Sequence, residues 1–146
     1  MNSGAALLLL VVTAGLALAS IASRAEADDK HAQFNYQLFC QGCHGPSGDG
    51  GRGVPMIREQ IGLFLNSQQG REYLIRVPGA ANSPLDDAQL AKLMNWTIET
   101  FGGASVPQQW QAYTGKEVGN YRKKPLLEVM RYRQELLSTL SATTNR

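Results

Sequence analysis

Two thiols and an imidazole stand together in Cys40-Gln41-Gly42-Cys43-His44, a stretch holding both cysteines and one of the two histidines of the 146-residue chain. Thiols can form a disulfide, bind a soft metal or add to an activated double bond, and imidazole can bind iron or zinc. The C-x-x-C-H order combines these abilities, because two thiols on one turn can each add to a vinyl group of one porphyrin while the next side chain binds its iron. The spacing therefore predicts a c-type haem attachment site, held by two thioethers and one Fe–N bond. Two other uses compete. A disulfide or a thioredoxin-like redox pair needs a Trp-Cys-x-x-Cys-type turn after a strand, and the run before Cys40 is helical in character. A zinc site wants four ligands, and there is no second Cys or Cys/His pair.

The elements flanking the motif must position it. Residues 29–39 predict a helix with Phe34 and Leu38 on its apolar side, joined by Ala32 and Phe39, leading straight into Cys40. His31 falls in its first turn, as a solvated side chain or as a second haem ligand. After His44, residues 45–55 are dense in glycine and proline and predict a loop. It lacks the Gly-Lys-Ser/Thr ending of a phosphate-binding loop, and suits a backbone that wraps closely around the edge of a flat ligand.

A helix, then Cys-x-x-Cys-His-Gly, then x-x-Gly-x-Gly, then Pro55 eleven positions after His44, resembles class I cytochrome c. The resemblance runs over roughly 28–103 and implies an all-α fold, a cytochrome c-like helical domain around one covalent haem with its iron. It implies Cys40 and Cys43 as covalent anchors and His44 as the proximal iron ligand. It also implies that the Pro55 carbonyl accepts a hydrogen bond from the other ring nitrogen of His44, which fixes the tautomer and raises ligand basicity. In that family a closing helix carries an aromatic that packs across the first helix. Residues 85–101 are the clearest helix of the chain, with Asp86 and Gln89 set for a capping box, Leu90, Leu93, Met94, Thr97 and Phe101 in one stripe, and Gly102-Gly103 as the stop. Trp96 matches the aromatic, and Phe34 or Leu38 is its expected partner.

The family places its distal methionine in the loop before the closing helix, here residues 77–84. No methionine is there. The remaining candidates are Met94, which has an acceptable spacing from His44, Met56 beside Pro55, Met130 in the tail, and His31. Arg76 is a further candidate, as a distal hydrogen-bond donor or a surface or propionate-binding residue. With a strong sixth ligand the expected role is an electron carrier and not an enzyme, passing electrons between a dehydrogenase and an oxidase or another cytochrome. With an open iron the role becomes a ligand-binding sensor or a catalytic haem. A third reading is a fixed haem subunit of a dehydrogenase complex.

Between these landmarks, helical pieces are expected at 58–65 and 70–76, divided by a turn at Asn66-Ser67. Residues 104–146 extend beyond the usual end of the fold. They predict a short helix opened by a Thr114/Glu117 capping box and a second helix from Pro125 to about Leu140. From Tyr121 onward there are six Lys/Arg, Arg122, Lys123, Lys124, Arg131, Arg133 and Arg146, against Glu128 and Glu135. Such a tail either docks on an acidic redox partner or wraps the core with a solvated outer face.

At the start, Ala5 to Ala19 is apolar apart from Thr13 and Gly15, and Ala25-Glu26-Ala27 is an A-x-A cleavage signature. Residues 1–27 therefore read as a secretory signal peptide, with 28–103 the cytochrome domain and 104–146 the extension. The expected location is the periplasm. An uncleaved anchor over Ala5 to Ala22 is the alternative, and membrane contact is expected only in that case. The net charge of +2 implies nothing about partners, and no recognised nucleic-acid-binding motif is present.

Overall fold

A computed structural model of the chain describes residues 26–144. The leader expected over 1–27 lies outside the described residues except for its last two positions. The chain divides into two units, Met1–His31 and Ala32–Arg146. In the first, residues 26–31 are helical, with an exposed Lys30–Glu26 ion pair at 2.8 Å. No helix among the described residues is long and apolar enough to cross a membrane.

The described part of the second unit is mostly helical, and its extended pairing is limited to one isolated bridge, Gly51 with Val54. It opens with α1, residues 32–39, and a single further turn, α2, Gln41–His44. Buried positions on α1 are Ala32 and Tyr36, at 3% and 2% exposure, and the same four-residue step leads to Cys40. Phe34 and Leu38 remain 55% and 57% exposed. The expected apolar face therefore holds at Ala32 and fails at Phe34 and Leu38, whose place Tyr36 takes. Four-residue periodicity favours either set, and the set that runs into the half-buried Cys40 is the one that packs.

α5, Asp87–Phe101, carries the core. Its capping box forms, with the Gln89 N–H donating to Asp86 at 2.8 Å and the Gln89 amide oxygen accepting from the Asp86 N–H at 3.2 Å. Leu90, Leu93, Met94, Thr97 and Phe101 are all buried, and Thr97 satisfies its hydroxyl by donating to the Leu93 carbonyl. Trp96 packs on Tyr36 with ring centroids 5.6 Å apart, and Phe101 packs on the same ring at 4.9 Å. Tyr36 therefore takes the place expected of Phe34 or Leu38, because it is the aromatic on the buried side of α1.

A 3₁₀ helix, Ile61–Asn66, and α3, Gln68–Arg76, follow the glycine-rich loop, with the Ser67 hydroxyl accepting from the Gly70 N–H at the α3 start. Residues 78–81, expected as loop, form one helical turn, α4, Pro78–Ala81. Proline at its first position supplies the helical φ and lacks only an N–H that no helix start uses.

The chain beyond 103 belongs to the same core. After a 3₁₀ turn, Gly103–Ser105, come α6, Gly115–Tyr121, and α7, Val129–Thr144. Tyr113, Val118 and Leu126 are buried in one cluster with the α3 and α5 residues. The Thr114 hydroxyl accepts from the Glu117 N–H, but the Glu117 carboxylate does not complete a box; it makes a bidentate pair with Arg71 at 2.9 and 3.0 Å. α7 begins four residues later than expected because the Leu126 N–H is drawn to the Arg76 carbonyl at 2.9 Å. Two of the basic residues face inward. Arg122 donates to the carbonyls of Ala81, Ser83 and Leu85, and Arg133 bonds Gln60 and lies over the Phe64 ring.

Candidate haem-attachment site

α2 is a single turn that aims three reactive side chains one way. The N–H groups of Cys43 and His44 both donate to the Cys40 carbonyl, at 3.1 and 2.9 Å. This tight turn brings Cys40, Cys43 and His44 to the wall of one cavity of about 370 Å³. That volume lies within the roughly 300–1,000 Å³ common for small-molecule and cofactor sites. The facing walls are apolar, supplied by Ile61 and Phe64, Leu74 and Val77, and Leu90 and Leu93. Phe39, Met56 and Met130 line it and keep 38%, 37% and 55% exposure, so the cavity opens to solvent.

The loop after His44 is closed by its own backbone. The Gly50 N–H donates to the His44 carbonyl at 2.9 Å, and Ile57 and Arg58 N–H groups both donate to the Gly48 carbonyl. Gly48 and Gly50 have φ of +75° and +70°, and a Cβ on Gly50 would collide with the Val54 carbonyl and the Pro55 backbone. Only glycine fits such a left-handed, crowded position. The fold-back brings Pro55 to His44, whose Nδ1 lies 3.2 Å from the Pro55 carbonyl oxygen. A carbonyl can only accept, so Nδ1 carries the proton and Nε2 keeps its lone pair. Burial lowers the His44 pKa, partly offset by this bond, and so favours the neutral, ligating imidazole. From the other side, the Tyr36 hydroxyl donates to the Gly45 carbonyl at 2.7 Å, tying α1 to the end of α2.

The competing uses of the two thiols find little support. Cys40 and Cys43 are free. Burial, and then Cys43, push the Cys40 thiol up to about 11, whereas a redox-active pair needs a depressed one. Among the described residues no cluster of three or more His, Cys, Asp or Glu side chains could hold a metal ion, so a protein-only zinc site lacks its ligands.

A porphyrin fits the donor set. Two thiols and an imidazole nitrogen share one apolar cavity, and the one buried side-chain polar atom without a partner among the described residues, Ser83 Oγ, lines the same cavity. A polar edge of an occupant, such as a haem carboxylate, would satisfy this hydroxyl. Here Cys40 and Cys43 would hold the macrocycle, His44 its iron, and Ser83 a carboxylate.

The other sequence candidates are distributed as follows. Met56, Met94 and Met130 all line the cavity. Arg76 does not; its Nε donates to the Lys124 carbonyl at 2.7 Å and its guanidinium lies over Tyr132. His31 is exposed and ends the first unit. Sequence reasoning missed Ser83 and Arg133 as lining residues. Ser83 lay in the loop where the family resemblance puts a ligand, and that was its signal; Arg133 had none beyond its place on an amphipathic helix.

No protein-family model, no curated protein and no solved structure matches the chain.

Proposed function

We propose that the chain is a class I-like monohaem cytochrome c that transfers electrons outside the cytoplasmic membrane, with Cys40 and Cys43 as the covalent anchors and His44 as the proximal ligand. The observation that carries the reading is the convergence of these three side chains, with the His44 ring already fixed by Pro55, on one apolar cavity. When bound, a c-type haem supplies one-electron redox chemistry. The chain's own residues do the rest. Thioethers at Cys40 and Cys43 would retain the cofactor, Pro55 sets the tautomer of His44, and the leucine, isoleucine and phenylalanine walls would surround it with apolar side chains. The extension packs into the same core, so the role of partner docking falls to the outward-facing Lys123, Lys124 and Arg131.

The test is maturation in a host that attaches c-type haem. Wild-type protein is expected to keep its haem on a denaturing gel and to give one haem per chain in an alkaline pyridine spectrum. The Cys40→Ala, Cys43→Ala double variant is expected to lose covalent haem completely. Normal covalent haem in that variant, or none in the wild type, would sink the reading.

A further inference from the structure

The loop at residues 77–84, where a class I cytochrome would carry its distal methionine, has none, and the cavity wall nevertheless presents three methionine side chains. Their supports differ. Met56 follows Pro55, the residue bonded to the His44 ring, and one peptide step of about 3.8 Å keeps it on the His44 wall. Met94 sits on α5, next to Leu93 of the cavity's apolar wall. It is only 8% exposed and already packed in the core. Met130 arrives from a different direction. It is in the first turn of α7, which packs on the 3₁₀ helix Ile61–Asn66 and on α3.

The extension is fastened to the very loop that lacks a ligand. Arg122 donates to the carbonyls of Ala81, Ser83 and Leu85 at 3.1, 2.6 and 2.7 Å. Arg76 donates to the Lys124 carbonyl, and the Leu126 N–H donates back to the Arg76 carbonyl at 2.9 Å. Residues 122–126 thus run along 76–85, and α7 starts from there. Its rotation is set by Arg133, one turn on, which is held by Gln60 and Phe64. Val129, Met130 and Arg133 all face the cavity as a result. Met130 is nonetheless 55% exposed, an apolar side chain at a cavity wall with little protein against it.

We propose that the C-terminal extension replaces the missing ligand loop, and that Met130 is the distal, sixth ligand of the iron. The inference rests on the haem reading above. A thioether from Met130 would give the iron a second strong ligand and a higher reduction potential than a second imidazole would. In this arrangement the extension is part of the redox site, not an appendage to it.

The experiment compares wild-type holoprotein with Met130→Ala, Met94→Ala, Met56→Ala and Met130→His. Haem content is measured first by the alkaline pyridine spectrum, and a wild-type chain without covalent haem refutes the cofactor reading itself. Given haem, the oxidised wild type is expected to show the weak sulfur-to-iron band at the red edge of the visible spectrum and no response to carbon monoxide when reduced. Met94→Ala and Met56→Ala are expected to keep that band. Met130→Ala is expected to lose it and to bind carbon monoxide. Met130→His, which keeps a strong ligand should the alanine variant fold poorly, is expected to stay low-spin with the band gone and the potential lowered. A band that survives in Met130→His, or that disappears in Met94→Ala or Met56→Ala while Met130→Ala keeps it, overturns the assignment. So does a wild type with covalent haem but no such band.

Discussion

Replacing Arg122 by alanine tests whether the extension is held to the rest of the chain by the contacts described above. The guanidinium satisfies three backbone carbonyls, Ala81, Ser83 and Leu85, and its side chain is only 17% exposed. Its ion pair with Asp87 at 3.2 Å adds little, because that carboxylate is half exposed and solvent screens the attraction. A hydrogen bond to a charged group contributes about 1.5–3 kcal/mol net. The three are not additive, since they share one donor group and water can reach the partly exposed Ser83 end of the loop once the arginine is gone. A loss of about 3 kcal/mol follows, roughly 10 °C in melting temperature for a domain of this size. Arg122→Lys should recover little of it, because an ammonium is a point charge and cannot reproduce a planar fork spanning three acceptors. The assay is denaturant unfolding of the holoprotein followed by helical circular dichroism, with the midpoint falling and the slope unchanged. Trypsin cleavage after the exposed Lys123 should rise in parallel, while the Lys124–Pro125 bond resists the enzyme. A change under about 0.5 kcal/mol, the size of an ordinary surface substitution, would refute the view that Arg122 fastens the extension.

Two further outcomes follow from the site. Tyr36→Phe removes the bond to the Gly45 carbonyl and should cost about 1 kcal/mol at neutral pH in a chemical-denaturation curve. In the haem-free chain, where Cys40 is a thiol, burial, then Cys40 and Asp49, push the Tyr36 hydroxyl up to about 12 from its ordinary 10, so its neutral form is favoured by folding: the stability it contributes is complete below pH 10 and is lost as pH rises toward 12. The phenylalanine variant should therefore fall less steeply than wild type across that window, where Tyr73 and Tyr113, also raised by burial, still titrate; equal slopes would refute the assignment. Gly50→Ala forces a Cβ into a left-handed residue against the Val54 carbonyl and should lower stability by about 2 kcal/mol or more and loosen the His44–Pro55 contact, seen as reduced holoprotein yield.

How much of this was legible depended on how local each determinant is. The α2 turn, the glycine loop and the Asp86–Gln89 cap are set by residues within a few positions of one another, and their chemistry can be read directly from the chain. The Pro55–His44 contact, eleven positions apart, came from the family resemblance; local geometry explains it afterward through the glycine fold-back. The face of α1 was misread because Phe34 and Leu38 are more hydrophobic than Tyr36, and hydrophobicity alone ranks them for the core. What decides the face is that Tyr36 can bury its ring between Trp96 and Phe101 and still place its hydroxyl on Gly45, whereas burying Phe34 would rotate Cys40 away from the cavity.

The docking of the extension lay furthest from what a sequence can say. Arg122, Lys123 and Lys124 form a basic run that reads as solvated or partner-seeking, and nothing in residue type distinguishes the first from the next two. The distinction is made by acceptors forty positions away: the turn at Ala81–Leu85 leaves carbonyls pointing outward, and only a residue reaching that turn at the right height can take them. Once it does, the path of the chain is constrained. Leu126 is fixed on Arg76, α7 can start only beyond it, and Arg133 fixes its rotation, so the first turn of α7 must face the cavity opened by Cys40, Cys43 and His44. Under the proposed haem reading, the loop at 77–84 without a methionine and the arginine that holds the extension to it are two parts of one arrangement, linked by backbone hydrogen bonds that no single-residue pattern encodes.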